Sequence, residues 1–347
     1  MILWGAGLLL VFGALSAATA WYMLGLPGRS FTGPVPAPTS AEQDVAQRLQ
    51  RHVTAIASTP HNVAHYDALE KAAVYIEDEL KALGLQPSAQ VYDTNGRPVR
   101  NIEVVLEPDG AGPDTESLIV GAHYDSFGNA PGANDNGTGT AAVIELARLL
   151  KDVAPKDKRL RLVLFVNEEP PYDRTPAMGS WRYAEMLKER GERVAGMMSL
   201  ETLGCFSDEP GSQRYPPPFG LFFPNKANFI AFVALPGSRD FLHEVVGPFR
   251  RHTELPTIGG TAPDQFDGVG WSDHWSFAKF GFPGIMITDT ALFRYRHYHK
   301  PTDTPDKVDY AKLARITLGL EQTLRELVEW PTSAPGPKRS LARLFLP

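Results

Sequence analysis

The chain has 347 residues, 43% apolar and 21% charged, which suits an ordinary globular protein of one large or two small domains. A formal net charge of -6, with no basic stripe to offset it, excludes a nucleic-acid-binding footprint. The single cysteine, Cys205, excludes an internal disulfide framework and a cysteine-built zinc knuckle, so any metal must be held by histidines and carboxylates.

Residues 2–26 contain no charged side chain. That run is longer than the ~20 residues needed to cross a bilayer core, and it predicts an N-terminal membrane helix over residues 1–26. Ala18-Thr19-Ala20 has the form of a signal-peptide cleavage site, but no Lys or Arg precedes it and the apolar run continues beyond it. A membrane anchor with an extracytoplasmic domain is therefore favoured, with a secreted or periplasmic protein after cleavage as the alternative. Residues 27–41, rich in Pro, Gly, Ser and Thr, predict a stalk. Residues 42–333 form the expected folded domain, and residues 334–347 a frayed tail.

Within the domain a helix is expected over about 42–57. A second is expected over 67–83, where Leu69, Ala72, Ala73, Ile76, Leu80 and Leu83 recur at helical steps with Gly84 just past the end. Residues 102–106 and 118–121 read as strands, 138–151 as a helix, 160–166 as a strand, 179–190 as a helix and 194–200 as a strand. Residues 284–288 form a late strand and 310–330 a closing helix, while proline-rich 205–224 reads as a loop. This alternation predicts an α/β fold with a mostly parallel central sheet and helices on both faces.

In such sheets reactive groups gather where strands end. Here Gly121-Ala122-His123-Tyr124-Asp125 ends one strand, and Gly132-Ala133-Asn134-Asp135-Asn136-Gly137-Thr138-Gly139 leads directly into a helix. Asn167-Glu168-Glu169 and Glu201 end two more strands, and Tyr298-His299-Lys300-Pro301-Thr302-Asp303-Thr304 lies far downstream. Alone, each fragment has an ordinary reading: a surface His/Asp pair, a solvated Glu-Glu face, or a phosphate loop that lacks its lysine. Asn136-Gly137-Thr138 also matches a glycosylation acceptor, but a glycan there would block the site. Together they fit a different chemistry. Two zinc ions about 3.5–4 Å apart need one shared carboxylate, plus a histidine and a further carboxylate for each. A spare carboxylate, Glu168, can then take a proton from water. Residue chemistry alone leaves His297 and His299 as alternatives.

In order and spacing, these segments, with Ser272-Asp273-His274, resemble the motif set of the co-catalytic zinc aminopeptidase family. That family includes bacterial leucyl aminopeptidase, aminopeptidase Y and the glutamate carboxypeptidases. The resemblance spans roughly residues 45 to 330 and implies a zinc-exopeptidase-like fold, peptide substrates and two Zn2+ per chain. It further implies that Asp135 bridges the ions, His123 and Glu201 complete one site, and Glu169 and His299 complete the other. Glu168 would be the general base, Asp125 would orient His123, and Asp273 would brace the site. The motif context selects His299 over His297.

Three departures stand out: an insertion, residues 170–178, after the Glu-Glu pair; Glu201 where many members carry Asp; and the unmatched stretch 205–224. Arg294, Tyr295, Arg296 and Tyr298 are candidate pocket groups. The rival readings are a glutaminyl-peptide cyclase with a single zinc, a non-catalytic peptidase-like ectodomain, and a serine hydrolase. The ectodomain reading is disfavoured because every ligand is present. For a serine hydrolase, the fragment Gly270-Trp271-Ser272-Asp273-His274 lacks the final glycine of a nucleophile elbow.

Overall fold

The apolar N-terminal run forms helix α1 (Ile2–Leu24). The computed structural model describes residues 2–329, with side chains from Phe12 to Val328; the expected tail 334–347 lies outside them. Among the described residues no helix is long and apolar enough to cross a membrane. The membrane helix expected over residues 1–26 is therefore not supported among the described residues.

Helix α2 (Ser40–Ile56) starts with a capping box: Glu42 N–H donates to Thr39 Oγ1, and the Glu42 carboxylate accepts from Thr39 N–H. Helix α3 (Tyr66–Ala82) buries the periodic set Leu69, Ala72, Ala73, Ile76 and Leu80. Strands β1 (Ser88–Thr94) and β2 (Arg97–Leu106) form an antiparallel hairpin. Next come β3 (Glu116–His123), α4 (Thr138–Leu150), β4 (Lys158–Phe165), α5 (Gly179–Glu189) and β5 (Val194–Glu201). The chain then adds β6 (Ile230–Ala234), α6 (Arg239–His252), β7 (Thr257–Thr261), α7 (His274–Lys279) and β8 (Gly284–Thr288). A short α8 (Ala291–Arg294) and a long α9 (Tyr310–Glu329) close it. Residues 205–224 are irregular apart from one turn at Phe219–Leu221, as expected of a loop.

The eight strands among the described residues form one sheet in the order β1-β2-β4-β3-β5-β8-β6-β7. The mostly parallel sheet expected from sequence is instead mixed. The central strands β4, β3, β5 and β8 run parallel, but β1/β2, β2/β4 and β6/β8 pair antiparallel. The strands that create this mixture carried weak sequence signals. Strand β1 is a largely exposed edge, while β6 and β7 are five residues each and β7 contains two glycines.

Alternation along the central strands supplies cores on both faces. Leu118, Val120 and Ala122 of β3 face one core with α2, α3, α4, α6 and α9; Ile119 faces a second with α5 and α7. The carboxyl ends of β3, β4, β5 and β8 consequently meet on one edge, with His123 level with Phe165 and Glu201 level with Thr288. Glycine permits the closest approach there. A Cβ on Gly139, in the first turn of α4, would lie 2.3 Å from the Leu200 carbonyl oxygen, next to Glu201.

Candidate metal centre

Three strand ends, the loop leading into α4 and one distant loop converge on a buried cluster. Asp135 lies between two histidines: its Oδ1 is 3.4 Å from His123 Nε2, and its Oδ2 is 3.1 Å from His299 Nε2. Glu201 Oε2 is 3.4 Å from His123 Nε2, and Glu169 Oε2 is 3.2 Å from His299 Nε2. Two donor groups result, His123/Asp135/Glu201 and Asp135/Glu169/His299, with ligand atoms in each within 4.8 Å of one another. A third such group, His123/Glu168/Glu169, joins them, and Glu168 Oε2 stands 3.7 Å from His123 Nε2. His297 joins no such group among the described residues; its Nδ1 pairs with Thr302 Oγ1 at 2.8 Å.

The donor atoms fit a metal on chemical grounds. His123 Nε2, Asp135 Oδ2, Glu169 Oε1 and His299 Nε2 are all buried without a hydrogen-bond partner, a costly state that coordination relieves. Their proton affinities tell the same story. Burial, reinforced by the charge of Asp135, pushes Glu169 up to about 8. Burial likewise raises Glu168 well above the usual carboxylate range, and raises Glu201. For His299, burial opposes the charged form, yet the adjacent carboxylates of Asp135 and Glu169 lift it to about 10. His123 is lifted well above its ordinary value against the same desolvation, by Glu168 and Glu201. Only Asp135 is lowered, because the two imidazoles outweigh its burial. Protons therefore occupy a cluster whose negative charge calls for cations. Histidine nitrogens and carboxylate oxygens are a donor mixture that zinc accepts.

The supporting shell refines the expected roles. His123 Nδ1 donates to the backbone carbonyl of Asp125 at 3.0 Å, which fixes the tautomer and leaves Nε2 free. The Asp125 carboxylate lies further off, at 3.6 Å, and accepts instead from the backbone N–H groups of Glu168 (3.1 Å) and Glu169 (3.4 Å). Asp273 is fully buried but hydrogen-bonds through neither oxygen. Within that trio the residue touching the cluster is Ser272, whose Oγ donates to Glu201 Oε2 at 2.8 Å. His299 is held between two rings, Phe127 and Tyr298, each with its centroid 3.9 Å away. Arg294 does not enter the pocket. It donates to the backbone carbonyls of Cys205, Ala227 and Phe229 and so ties down the 205–229 segment. The glycosylation reading of Asn136 also fails, since its side chain is buried and donates to the Leu200 carbonyl.

Asp303 is a site residue that sequence reasoning quoted without giving it a role. Its carboxylate accepts the backbone N–H groups of Asn134 (2.9 Å) and Asp135 (3.1 Å) and the Tyr295 hydroxyl (2.7 Å), pinning the loop that carries Asp135. Asp303→Ala leaves those buried donors unpaired at about 1–3 kcal/mol each. A lowered Tm and roughly 10–100-fold weaker metal binding are expected, read by calorimetry and metal titration. Unchanged values in both would show that Asp303 does not position the loop.

A buried histidine–carboxylate set at the carboxyl edge of an α/β sheet defines a metallohydrolase. The pattern of peptidase family M28 matches residues 101–324. The chain is 33% identical to the uncharacterized protein YfbL of Escherichia coli K12 over 294 residues, covering 82% of this chain and 88% of that one. It is 24% identical to leucine aminopeptidase 1 of Arthroderma otae over 282 residues, 76% of this chain and 69% of that one. In fold it is similar to the zinc aminopeptidase BSAP of Bacillus subtilis, with TM-score 0.63 and 16% identity over 87% of this chain and 98% of that one. It is similar to a similar degree to the glutaminyl cyclase of Fimbriiglobus ruber, with TM-score 0.62 and 18% identity over 86% and 98%. The chain belongs to peptidase family M28.

Proposed function

We propose that the chain is a two-zinc aminopeptidase that releases N-terminal residues with apolar side chains. One observation carries the metal count: Asp135 offers one oxygen to each of two histidine-carboxylate groups. Two neighbouring cavities support the substrate class. A polar one of about 280 Å³ contains Asp135, Glu168, Glu169, Glu201 and His299. An apolar one of about 120 Å³ is lined by Phe219, Phe223, Val233, Ile258 and Met286, and both share Glu201, Trp271 and Tyr298. A side chain can thus occupy the apolar pocket while the scissile bond lies among the carboxylates.

Zinc bound by His123, Asp135, Glu169, Glu201 and His299 would supply Lewis acidity and a water acidified toward neutral pH. Glu168, buried at the polar cavity wall, accepts the proton of the attacking water and returns it to the leaving amine. Asp125 holds the Glu168 backbone, so the base stays aimed into the cavity. Ser272 donates to Glu201 Oε2, the oxygen that faces His123, and so fixes the orientation of that carboxylate.

Chelation should abolish release of N-terminal Leu or Phe from free-amino peptides, and zinc should restore it at two ions per chain. One ion per chain, with ammonia released from glutaminyl peptides, would establish the cyclase reading instead. Reloading at pH 7 should release protons: His299, held near 10, must lose one to coordinate. Below pH 8 Glu169 also has to be deprotonated, so zinc affinity falls as pH falls. Calorimetry in buffers of different ionisation enthalpy reads the proton count, and a count of zero would contradict this charge assignment.

We also propose an extracytoplasmic location, supported by the uncharged run over residues 2–26. Protease protection of the chain in intact and lysed cells tests it.

A further inference from the structure

The last turn of α1 and the segment after it are bound along the domain at successive backbone positions. Arg239 Nε donates to the Tyr22 carbonyl at 2.8 Å, and its guanidinium lies 4.2 Å from the centroid of the Tyr22 ring. His243 Nε2 meets the Gly25 carbonyl at 2.9 Å, and Arg250 Nη1 donates to the carbonyls of Pro27 (2.8 Å) and Gly28 (3.2 Å). Ser30 Oγ accepts the Thr257 N–H at 2.8 Å. A stalk would leave these carbonyls to water; here Arg239, His243 and Arg250 of α6 satisfy them. Contact with β7 is close enough to require glycine, because a Cβ on Gly260 would lie 2.6 Å from the Met23 carbonyl oxygen and 3.0 Å from Leu24 Cα. Between these tethers Leu24 lines the apolar pocket that also contains Glu201, Val233 and Ile258.

We infer that Leu24 is a specificity-determining residue, and that residues 22–30 form a strap completing the wall of the side-chain pocket. The inference rests on the reading of that pocket as the acceptor of the substrate's N-terminal side chain. It holds for an anchored and for a processed chain alike: a cut after Ala20 leaves Trp21 onward, and hence the whole strap, in place.

The test is the ratio of kcat/KM for N-terminal Phe over N-terminal Ala peptides, measured on the zinc-loaded full chain. Leu24→Trp narrows the pocket and should lower the ratio tenfold or more, whereas Leu24→Ala widens it and should move the ratio the other way. Leu24→Met should restore the wild-type value. The double variant Arg239→Ala/His243→Ala touches no pocket residue, but it removes the tethers on either side of Leu24 and should shift the ratio in the direction of Leu24→Ala. Tm and zinc content establish that each variant is folded. Val233→Trp, on the β6 wall, separates the two readings. If Val233→Trp shifts the ratio and the Leu24 variants leave it within twofold, the strap is not part of the specificity pocket. If neither position shifts it, the pocket is not the acceptor and the substrate reading itself falls.

Discussion

Glu168→Gln lowers turnover by roughly 10²–10⁴-fold and leaves the zinc content of the chain unchanged. The glutamine keeps the size and most of the packing of the side chain but cannot accept a proton. Glu168 belongs to neither of the two groups that share Asp135, and its closest histidine contact is 3.7 Å, longer than the 3.1–3.4 Å contacts of the donors. With the ions held by the two groups that share Asp135, metal retention should not depend on it. Its orientation comes from the backbone, where the Glu168 N–H donates to Asp125 Oδ1. Because the step affected is proton transfer, kcat should fall while KM moves little. Steady-state kinetics with elemental analysis of the same preparation checks this. A variant with near-normal kcat would remove Glu168 from the role of base, and one that lost zinc would make it a ligand.

What the sequence made legible follows from the range over which each signal acts. The central strands and helices α3 and α4 carry strong local periodicity, and their observed spans lie within a few residues of those expected. Strands β1, β6 and β7 are short, polar or glycine-containing, and their pairing is set by neighbours far away in the chain. The same contrast holds in the site. His123, Glu169 and Glu201 could be read because each terminates an apolar strand or lies just beyond one. The role of Asp303 could not, because its hydrogen bonds reach backbone groups 168 and 169 positions away. Asp125 shows a finer limit: sequence placed it beside His123, but only the structure shows that its carbonyl, not its carboxylate, receives Nδ1. Arg294 is the reverse case. A polar side chain near a ligand suggested a pocket, yet packing turned it onto the carbonyls of a neighbouring loop.

Asp135→Ala should remove both zinc ions, whereas His123→Ala and His299→Ala should each remove one. Asp135 is the only member common to the His123/Asp135/Glu201 and Asp135/Glu169/His299 groups, with Oδ1 toward one histidine and Oδ2 toward the other. Truncating it leaves each group with one imidazole and one carboxylate, too few for a site that ordinarily keeps three protein ligands. It also deletes the one carboxylate in the cluster that remains readily ionised, since burial raises Glu168, Glu169 and Glu201. Apparent affinity for both ions should fall by more than about 100-fold, beyond the usual cost of losing an outer-shell partner. Activity should disappear with it. Because zinc binds the folded chain, the wild-type rise in Tm on adding zinc should vanish in Asp135→Ala and be reduced in the two histidine variants. Metal counts of two, one, one and zero for wild type, His123→Ala, His299→Ala and Asp135→Ala would fix Asp135 as the bridge. Retention of even one tightly held ion by Asp135→Ala would mean that the two groups are separate sites, with the His123/Glu168/Glu169 group as the one that survives.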